Sequence, residues 1–233
     1  MLQFTNVVVI AAHPDDEVLG AGGTIARLAH EGVPVTVAVV TDGSTTQYVG
    51  DDAILERKSK SLVEAARILG VRETVHWNFP DMRLDTVEHV VLNRAIEELI
   101  EDTKCDTIFV HHAGDVNLDH QLVHRSVAVA TRPHPGQPVK NVLTYEVNSS
   151  TEWGARAPRA MFWANFFVDI SATIQPKLRA LECYTDELRE FPHPRSVIAV
   201  EARARVNGSA VGCEFAEAFH LMLGRVPGAG AST

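Results

Sequence analysis

The sequence has little of what marks disulfide-rich, secreted or membrane-spanning proteins. Its three cysteines, Cys105, Cys183 and Cys213, are widely separated and form no CxxC pair, which argues against a disulfide framework and a thiolate metal site. The longest apolar runs, 6–12 and 33–40, are too short to span a bilayer. Because the N-terminus also lacks a secretory signature and no basic amphipathic helix is evident, we expect a cytoplasmic protein without a membrane partner.

Positive charge is scarce and dispersed. The 21 Lys and Arg residues are outnumbered by 30 Asp and Glu residues, which gives a formal net charge of −9, and no Lys/Arg cluster is present. The electrostatic footprint that holds a phosphate backbone is therefore missing, and we expect no nucleic-acid partner. The chain has 233 residues, of which 45% are hydrophobic and 22% charged, so it is long enough to bury a large core.

Apolar runs of strand length alternate with helical patterns in the first half of the chain. This alternation favours βαβ units and predicts an α/β fold, a single Rossmann-like domain with a mostly parallel sheet and helices on both faces. Right-handed crossovers would place the carboxyl ends of the strands at one edge, where we expect the functional site. We predict strands at about 6–12, 34–40, 74–79, 106–111 and 141–147.

The pattern loosens after the fifth predicted strand. Residues 148–167 contain two of the three tryptophans and form either a substrate-facing lid or a packed excursion. We predict helices at about 172–190 and 196–206, and a frayed tail at 226–233. No internal repeat, low-complexity tract or linker is evident, so we expect one domain over residues 1–233.

The first predicted strand is followed by His13-Pro14-Asp15-Asp16-Glu17. A histidine and two carboxylates at a strand end offer an imidazole ligand, a carboxylate ligand and a second carboxylate that can act as a base. These are the groups that a zinc site needs. The alternative is that Asp15 and Asp16 cap the following helix. The glycines at 20–23 lack the GxGxxG order, so a dinucleotide site is a weak interpretation.

A second polar cluster, HHAGDVNLDH at 111–120, follows the fourth predicted strand. If strands one and four are neighbours at the switch point of the sheet, His120 can meet His13 and Asp16 across the crevice. Two histidines and one aspartate make an open three-ligand zinc site. His124 offers a competing helical pair with His120, but the HExxH glutamate is missing, so we interpret His124 as structural.

These motifs resemble those of the PIG-L or LmbE-like zinc-dependent N-deacetylases. The resemblance implies an enzyme that removes the acetyl group from an N-acetylglucosamine unit on a carrier, a small-molecule amino-sugar substrate. It also implies that His13, Asp16 and His120 bind Zn²⁺, and that Asp15 is the general base for attack by a metal-bound water. Fe²⁺ would fit the same ligands. The matching segments are AAHPDDEVLGAGGTIA at 11–26, TDG at 41–43, RILG at 67–70, FPDMRLD at 79–85, GDVNLDH at 114–120, YTDELREFPHPRS at 184–196 and AEAF at 216–219.

The chain departs from the family pattern in the second motif. Many members have His-Pro-Asp-His there, and the first of those histidines is the acid or oxyanion partner, whereas this chain begins the motif with Asn117. Asparagine can donate a hydrogen bond but cannot deliver a proton. Our preferred acid is His193, because in some family members a C-terminal histidine from a neighbouring subunit completes the site; His112 is the second choice. We therefore expect a homo-oligomer in which His193 can serve a neighbouring active site.

Four polar residues are candidates for binding the substrate. Arg83, together with Asp81, could bind sugar hydroxyls, although a loop salt bridge is equally compatible with the sequence. We also place Asn117 and Asp115 at the substrate. Trp153 could stack on a sugar ring or serve in packing, and Trp163 presents the same choice.

Two further aspartates are candidates for supporting the metal ligands. Asp42 follows the second predicted strand and could hydrogen-bond a metal-binding histidine. Asp119 could support His120 in the same way, or cap its helix. His111, at the end of the fourth predicted strand, is interpreted as a core residue.

The sequence thus predicts a zinc hydrolase that deacetylates an N-acetylated amino sugar. Two alternatives stay open at this point. One is a metal-dependent amidase that acts on a non-sugar or thiol-conjugate N-acyl substrate. The other is a catalytically silent metal-binding homologue, which Asn117 keeps in view.

Overall fold

The computed structural model describes residues 4–43, 52–154 and 161–226, which form seven strands and six α-helices. The strands are β1 (Val7–Ala11), β2 (Val35–Thr41), β3 (Glu73–Phe79), β4 (Thr107–His111), β5 (Asn141–Tyr145), β6 (Phe166–Asp169) and β7 (Ala216–Gly224). The helices are α1 (Asp16–His30), α2 (Asp52–Leu69), α3 (His89–Thr103), α4 (Leu118–Ala130), α5 (Ile174–Glu182) and α6 (Val197–Val211), and short 3₁₀ turns lie at Leu84–Thr86 and Thr151–Trp153. No helix of the described ranges is long and apolar enough to cross a membrane.

The seven strands form one sheet in the order β3-β2-β1-β4-β5-β7-β6. The first five strands run parallel, and β7 pairs antiparallel with both β5 and β6. The predicted Rossmann-like, mostly parallel sheet is therefore confirmed, and each of the five predicted strands overlaps an observed one.

Helices cover both faces of the sheet, as predicted. Alternate residues of β1 point to opposite faces: Val7 and Val9 pack with α1, α2, α5 and α6, whereas Val8 and Ile10 pack with α3 and α4. Every residue of β1, β2 and β4 is buried, which explains why their sequences are continuous apolar runs.

The C-terminal part of the chain differs from the prediction in three places. Helix α5 ends at Glu182, so most of 183–196 forms a loop that runs toward the site. Helix α6 extends to Val211 and is capped by Gly212, which has a positive φ of 81°. Strands β6 and β7 were not predicted. Strand β6 has only four residues, and β7 contains Glu217, a buried carboxylate that pairs with Lys177 at 2.6 Å. A charged residue inside a strand interrupts the apolar pattern from which strands are predicted.

The strand order places β1 between β2 and β4. The chain leaves β1 for α1 on one face and leaves β4 for α4 on the other face, which opens a crevice between the two connections. Gly20 lets α1 approach the sheet, since a Cβ at this position would overlap the ring of Tyr145. The glycines that follow the first motif therefore serve helix packing.

Candidate metal centre

The loops after β1 and β4 bring His13, Asp16 and His120 to one point. His13 Nδ1 lies 3.1 Å from His120 Nε2, and Asp16 Oδ2 lies 3.2 Å from each of these nitrogens. Asp16 and His120 are each 1% exposed, and His13 is partly buried. Three potential ligand atoms thus form a nearly equilateral triangle in the crevice.

This triangle fits a divalent cation. In a tetrahedral site with bonds of about 2.0–2.1 Å, ligand atoms lie about 3.3–3.4 Å apart, close to the separations observed. The donor set of two imidazole nitrogens and one carboxylate oxygen suits Zn²⁺ or Fe²⁺. Asp16 Oδ1 is buried and has no hydrogen-bond partner in the part of the chain that the structure describes, so the carboxylate has unused acceptor capacity.

His120 is oriented by neighbours on two sides of its ring. Its Nδ1 lies 3.1 Å from Asp115 Oδ2, which leaves Nε2 to face Asp16 and His13. The ring of His111 stacks on His120 with the centroids 3.9 Å apart. His111 is fully buried, and its Nε2 accepts a 2.8 Å hydrogen bond from Ala12 N–H, as expected for a core residue.

Asp115, which the sequence analysis places at the substrate, lies buried beside His120 Nδ1. Asp115 is 1% exposed, and its carboxylate accepts hydrogen bonds from Asn117 N–H at 2.8 Å, from Thr151 Oγ1 at 2.7 Å and from the Ser150 hydroxyl. Burial opposes ionisation, but the hydrogen bond and charge of His120 outweigh it and lower the pKa of Asp115 to about 2. Asp115 is therefore a charged support for His120.

Asp119 supports the other histidine. Its Oδ2 lies 3.2 Å from His13 Nε2, and Asp81 Oδ1 lies 3.5 Å from the same nitrogen. The helix cap of α4 is Asn117, whose side chain accepts a hydrogen bond from Asp119 N–H at 2.9 Å. Asp119 therefore faces His13 and not His120, and the side-chain cap of α4 is Asn117.

The centre has an excess of buried negative charge. Burial lowers the pKa of both histidines, but the surrounding carboxylates outweigh it: the pKa of His13 is raised to about 10, chiefly by Asp119 and Asp16, and that of His120 to about 9, chiefly by Asp16. The same carboxylates would stabilise a cation that replaces these protons. Both the electrostatics and the geometry of the ligand triangle therefore favour binding of a cation.

Asp15 lies beside the triangle but outside it. Its backbone has a φ of 124°, a region that non-glycine residues rarely adopt, and its N–H donates to Glu17 Oε2 at 3.1 Å. Glu17 in turn accepts a hydrogen bond from the Tyr184 hydroxyl. Asp15 occupies the N-cap position of α1, but its side chain makes no capping hydrogen bond to the helix.

Arg195 is the residue that the sequence interpretation missed. Its Nη1 lies 3.3 Å from Asp15 Oδ2, although Oδ2 has no hydrogen-bond partner within the described residues. Burial raises the pKa of Asp15 well above its usual value, and the Arg195 guanidinium opposes this shift. The segment 184–196 is one of the matching motifs, but no spacing rule relates its arginine to an aspartate 180 positions earlier.

His193 lies two residues before Arg195, in the same loop. Its Nδ1 accepts a 3.1 Å hydrogen bond from Arg195 N–H, so the neutral ring carries its proton on Nε2. Trp153, which is 51% exposed, meets the ring edge-on at 6.0 Å, and Asn148 Nδ2 donates to Pro194 O at 3.0 Å. The loop thus packs against the site of its own chain.

The remaining candidates lie at the margins of the centre. Arg83 is exposed, and Asn117 is half-buried at the cap of α4. Asp42 is buried after β2 and contributes to a raised pKa of Asp81, for which burial is the larger cause. His112 is half-buried and meets the Phe162 ring edge-on at 5.3 Å.

Two earlier interpretations concern His124 and the segment 148–167. His124 Nδ1 lies 2.9 Å from His111 O, in keeping with a structural role. Trp163 is exposed. Residues 155–160 of the lid interpretation, and 227–233 of the frayed tail, lie outside the described residues.

Comparison with known proteins identifies the family. The family model PIG-L, described as GlcNAc-PI de-N-acetylase, matches residues 8–131, which include all three members of the ligand triangle. Over 153 residues the chain is 34% identical to the deacetylase YaiS of Escherichia coli (strain K12), itself uncharacterized, and the match covers 62% of this chain and 75% of YaiS. The chain belongs to the PIG-L family.

Two further proteins extend the comparison. The probable N-acetyl-alpha-D-glucosaminyl L-malate deacetylase 2 of Bacillus cereus is 29% identical over 160 residues, which cover 64% of this chain and 72% of that protein. The solved structure of the N,N'-diacetylchitobiose deacetylase from Pyrococcus horikoshii has a TM-score of 0.77 and 21% identity, and covers 95% of this chain and 85% of that one. The second comparison shows that the two chains share the PIG-L fold.

Proposed function

We propose that this protein is a metal-dependent N-deacetylase that hydrolyses the N-acetyl group of an N-acetylglucosamine-type amino sugar. The observation that carries the proposal is the ligand triangle of His13, Asp16 and His120 with the Asp15 carboxylate beside it. Membership of the PIG-L family and the deacetylase names of its relatives support the same reaction. The resulting enzyme is a hydrolase of amide C–N bonds.

The triangle would hold Zn²⁺ or Fe²⁺ through His13 Nδ1, Asp16 Oδ2 and His120 Nε2. Such a cation polarises a carbonyl and lowers the pKa of a water that it binds to about 7. The protein's own contribution is to fix the two imidazoles: Asp119 faces His13 Nε2, and Asp115 faces His120 Nδ1. Such carboxylate partners hold each ring in the tautomer that leaves the other nitrogen free to bind.

Asp15 is the proposed general base. Its carboxylate neighbours the triangle through Asp16 yet supplies no atom to it, and Oδ2 has no hydrogen bond within the described residues. It can therefore accept a proton from the water that attacks the amide carbonyl. A positioned carboxylate base of this kind contributes about 10²- to 10⁴-fold to a rate.

The departing amine needs a proton of its own, because an amide nitrogen leaves poorly as an anion. His193 is the proposed acid. It would act as the imidazolium, because a neutral imidazole N–H is too weak an acid, and protonation of Nδ1 would replace the hydrogen bond that this nitrogen accepts from Arg195 N–H. The loop that carries His193 contacts Asp15 of the same chain through Arg195, which supports a role for His193 in the site of its own chain. His112 is the second candidate for the acid.

The names of relatives in the family support the proposed substrate class. Relatives of this chain are named for N-acetyl-glucosaminyl malate and diacetylchitobiose, which share an N-acetylated glucosamine unit. We place the sugar beside Arg83 and Asn117, at the partly open rim of the centre. Direct release of acetate from such sugars therefore tests the function.

The experiment measures acetate released by the purified, Zn²⁺-loaded protein from N-acetylglucosamine, N,N'-diacetylchitobiose and an N-acetylglucosaminyl glycoside. The Asp15→Asn variant is the matched control, since it keeps the ligand triangle and should bind Zn²⁺ while losing most turnover. An N-acetylated amino acid serves as the non-sugar amide. A protein that holds Zn²⁺ but releases no acetate from any of the sugars between about pH 6 and 9 would contradict the proposal. Activity on the amino acid alone would indicate an amidase.

A further inference from the structure

The Asp15 carboxylate is contacted by a residue that lies outside residues 8–131, the region that matches the family model. Asp15 is 2% exposed, and its backbone φ of 124° gives the side chain a direction that regular structure does not impose. Within the described residues, Arg195 is the only Lys or Arg whose side chain lies within ion-pair distance of this carboxylate. The position of Asp15 therefore depends on the loop between α5 and α6.

Arg195 is itself fixed by contacts other than Asp15. Its Nε donates to Ser149 Oγ at 2.7 Å, and its Nη1 donates to Glu187 Oε2 at 2.7 Å. Its backbone N–H is bound by His193 Nδ1. A planar guanidinium anchored at two of its nitrogens has little rotational freedom, so its charge is presented to Asp15 in one geometry.

The neighbouring carboxylate of Glu187 does not fully neutralise the charge of Arg195, so Arg195 can also pair with Asp15. Glu187 could neutralise Arg195 by itself, but Glu187 Oε1 also pairs with Lys58 Nζ at 2.8 Å. Two cations thus serve two carboxylates, in the order Lys58, Glu187, Arg195, Asp15. Arg195 remains 25% exposed, so it is not a buried structural ion.

We propose that Arg195 is a positioning residue that holds the Asp15 carboxylate toward the metal centre. The inference rests on the proposed function, in which Asp15 is the base. Arg195 has no atom in the ligand triangle, so its removal should leave metal binding intact and slow the proton transfer. If Arg195 instead contacted the substrate, its removal would chiefly raise KM.

The test compares Arg195→Ala with Arg189→Ala, a matched control. Arg189 lies in the same loop and, among the described residues, donates only to the backbone carbonyls of Asp186 and Leu188. We expect Arg195→Ala to lower kcat about 10- to 100-fold, the usual effect of removing such a supporting contact, with KM within about twofold and Zn²⁺ content unchanged. Arg189→Ala should match the wild type. Arg195→Lys, or guanidinium added to Arg195→Ala, should restore part of kcat.

A double variant separates action through Asp15 from other roles. In an Asp15→Asn background, Arg195→Ala should cause no further loss, because the contact has already been removed. A further loss of the full 10- to 100-fold would overturn the proposal, as would a kcat for Arg195→Ala equal to that of the wild type, or a rise confined to KM.

The outcomes that contradict the proposed function differ from those that contradict the Arg195 proposal. If the proposed function is wrong, the wild-type protein releases no acetate. If only the Arg195 proposal is wrong, the wild-type protein is active. Crystal structures of Zn²⁺-loaded Arg195→Ala and Arg189→Ala provide a test that needs no turnover. We expect the Asp15 carboxylate to leave its wild-type rotamer only in Arg195→Ala; an unmoved carboxylate would refute the positioning role. Thermal unfolding of each variant verifies that it is folded.

Discussion

Replacing Asp115 with asparagine should weaken metal binding without dismantling the site. Two of the groups that reach Asp115 must donate if the metal site is to be kept. Asn117 N–H donates to Oδ1 at 2.8 Å, and His120 Nδ1, which lies 3.1 Å from Oδ2, has to carry the ring proton so that Nε2 can bind a metal. An amide has one acceptor oxygen, so one of these two groups must face its NH₂ group. The hydroxyls of Ser150 and Thr151 can rotate to accept and are less affected.

The expected loss of metal affinity follows from this shortage of acceptor oxygens. A hydrogen bond to a charged group contributes about 1.5–3 kcal/mol, and the asparagine removes the charge and one of the two acceptors. If the amide NH₂ group faces His120, Nδ1 must accept, and the proton moves to Nε2, which then cannot bind a metal. At about 1.4 kcal/mol for each tenfold, we expect metal affinity to fall about 10- to 100-fold.

The assay is competition for Zn²⁺ against a chromophoric chelator at fixed pH, with Asp106→Asn as the control. Asp106 is also buried and accepts hydrogen bonds from Thr5 and from Thr107 Oγ1 at 2.7 Å, but it lies at the opposite end of β4. Its substitution should leave Zn²⁺ affinity unchanged. If Asp115→Asn binds Zn²⁺ as tightly as the wild type while folded, then Asp115 does not set the tautomer of His120.

Three other substitutions test separate parts of the structure. His120→Ala should abolish stoichiometric Zn²⁺ binding, as measured by elemental analysis of the dialysed protein; normal metal content would place the ligand elsewhere. His193→Ala should lower kcat by about 10²- to 10⁴-fold while Zn²⁺ stays bound. Because its loop contacts Asp15 of the same chain, mixing it with the Asp15→Asn variant should restore no activity, whereas recovery would indicate a contribution between subunits. Gly20→Ala should lower the free energy of unfolding by about 1–3 kcal/mol in chemical denaturation, because its Cβ overlaps the buried Tyr145 ring; an unchanged midpoint would contradict this packing.

Much of the fold was predictable because its signal is local. The strands β1, β2 and β4 are buried on both faces, so each is a continuous apolar run that can be recognised without knowing its neighbours. Strand β7 was missed because its buried Glu217 is stabilised by groups far away in sequence: Lys177, and the backbone N–H groups of Gly23 and Thr24. From the sequence alone, a buried charged residue cannot be distinguished from a surface residue, because its partners are distant in sequence.

The same distinction applies to the candidate site. The meeting of His13, Asp16 and His120 follows from strand order, because β1 and β4 are neighbours at the switch point. The partners of each imidazole depend on side-chain direction, which sequence spacing does not encode. Asp119 is adjacent to His120 in sequence yet faces His13, since the first turn of α4 directs these neighbouring side chains to different sides.

The two halves of the site come from different parts of the chain, and this division has a functional consequence. The proposed metal ligands lie within residues 8–131, the region that matches the family model. The contacts that fix Asp15 come largely from beyond it: Tyr184 acts through Glu17 on the Asp15 backbone, and Arg195 acts on the carboxylate. In the proposed mechanism, metal binding and base positioning are therefore physically separable. On that proposal, changes in the loop between α5 and α6 should alter turnover while leaving the ligand triangle intact, so metal content alone would not report whether the site is assembled for catalysis.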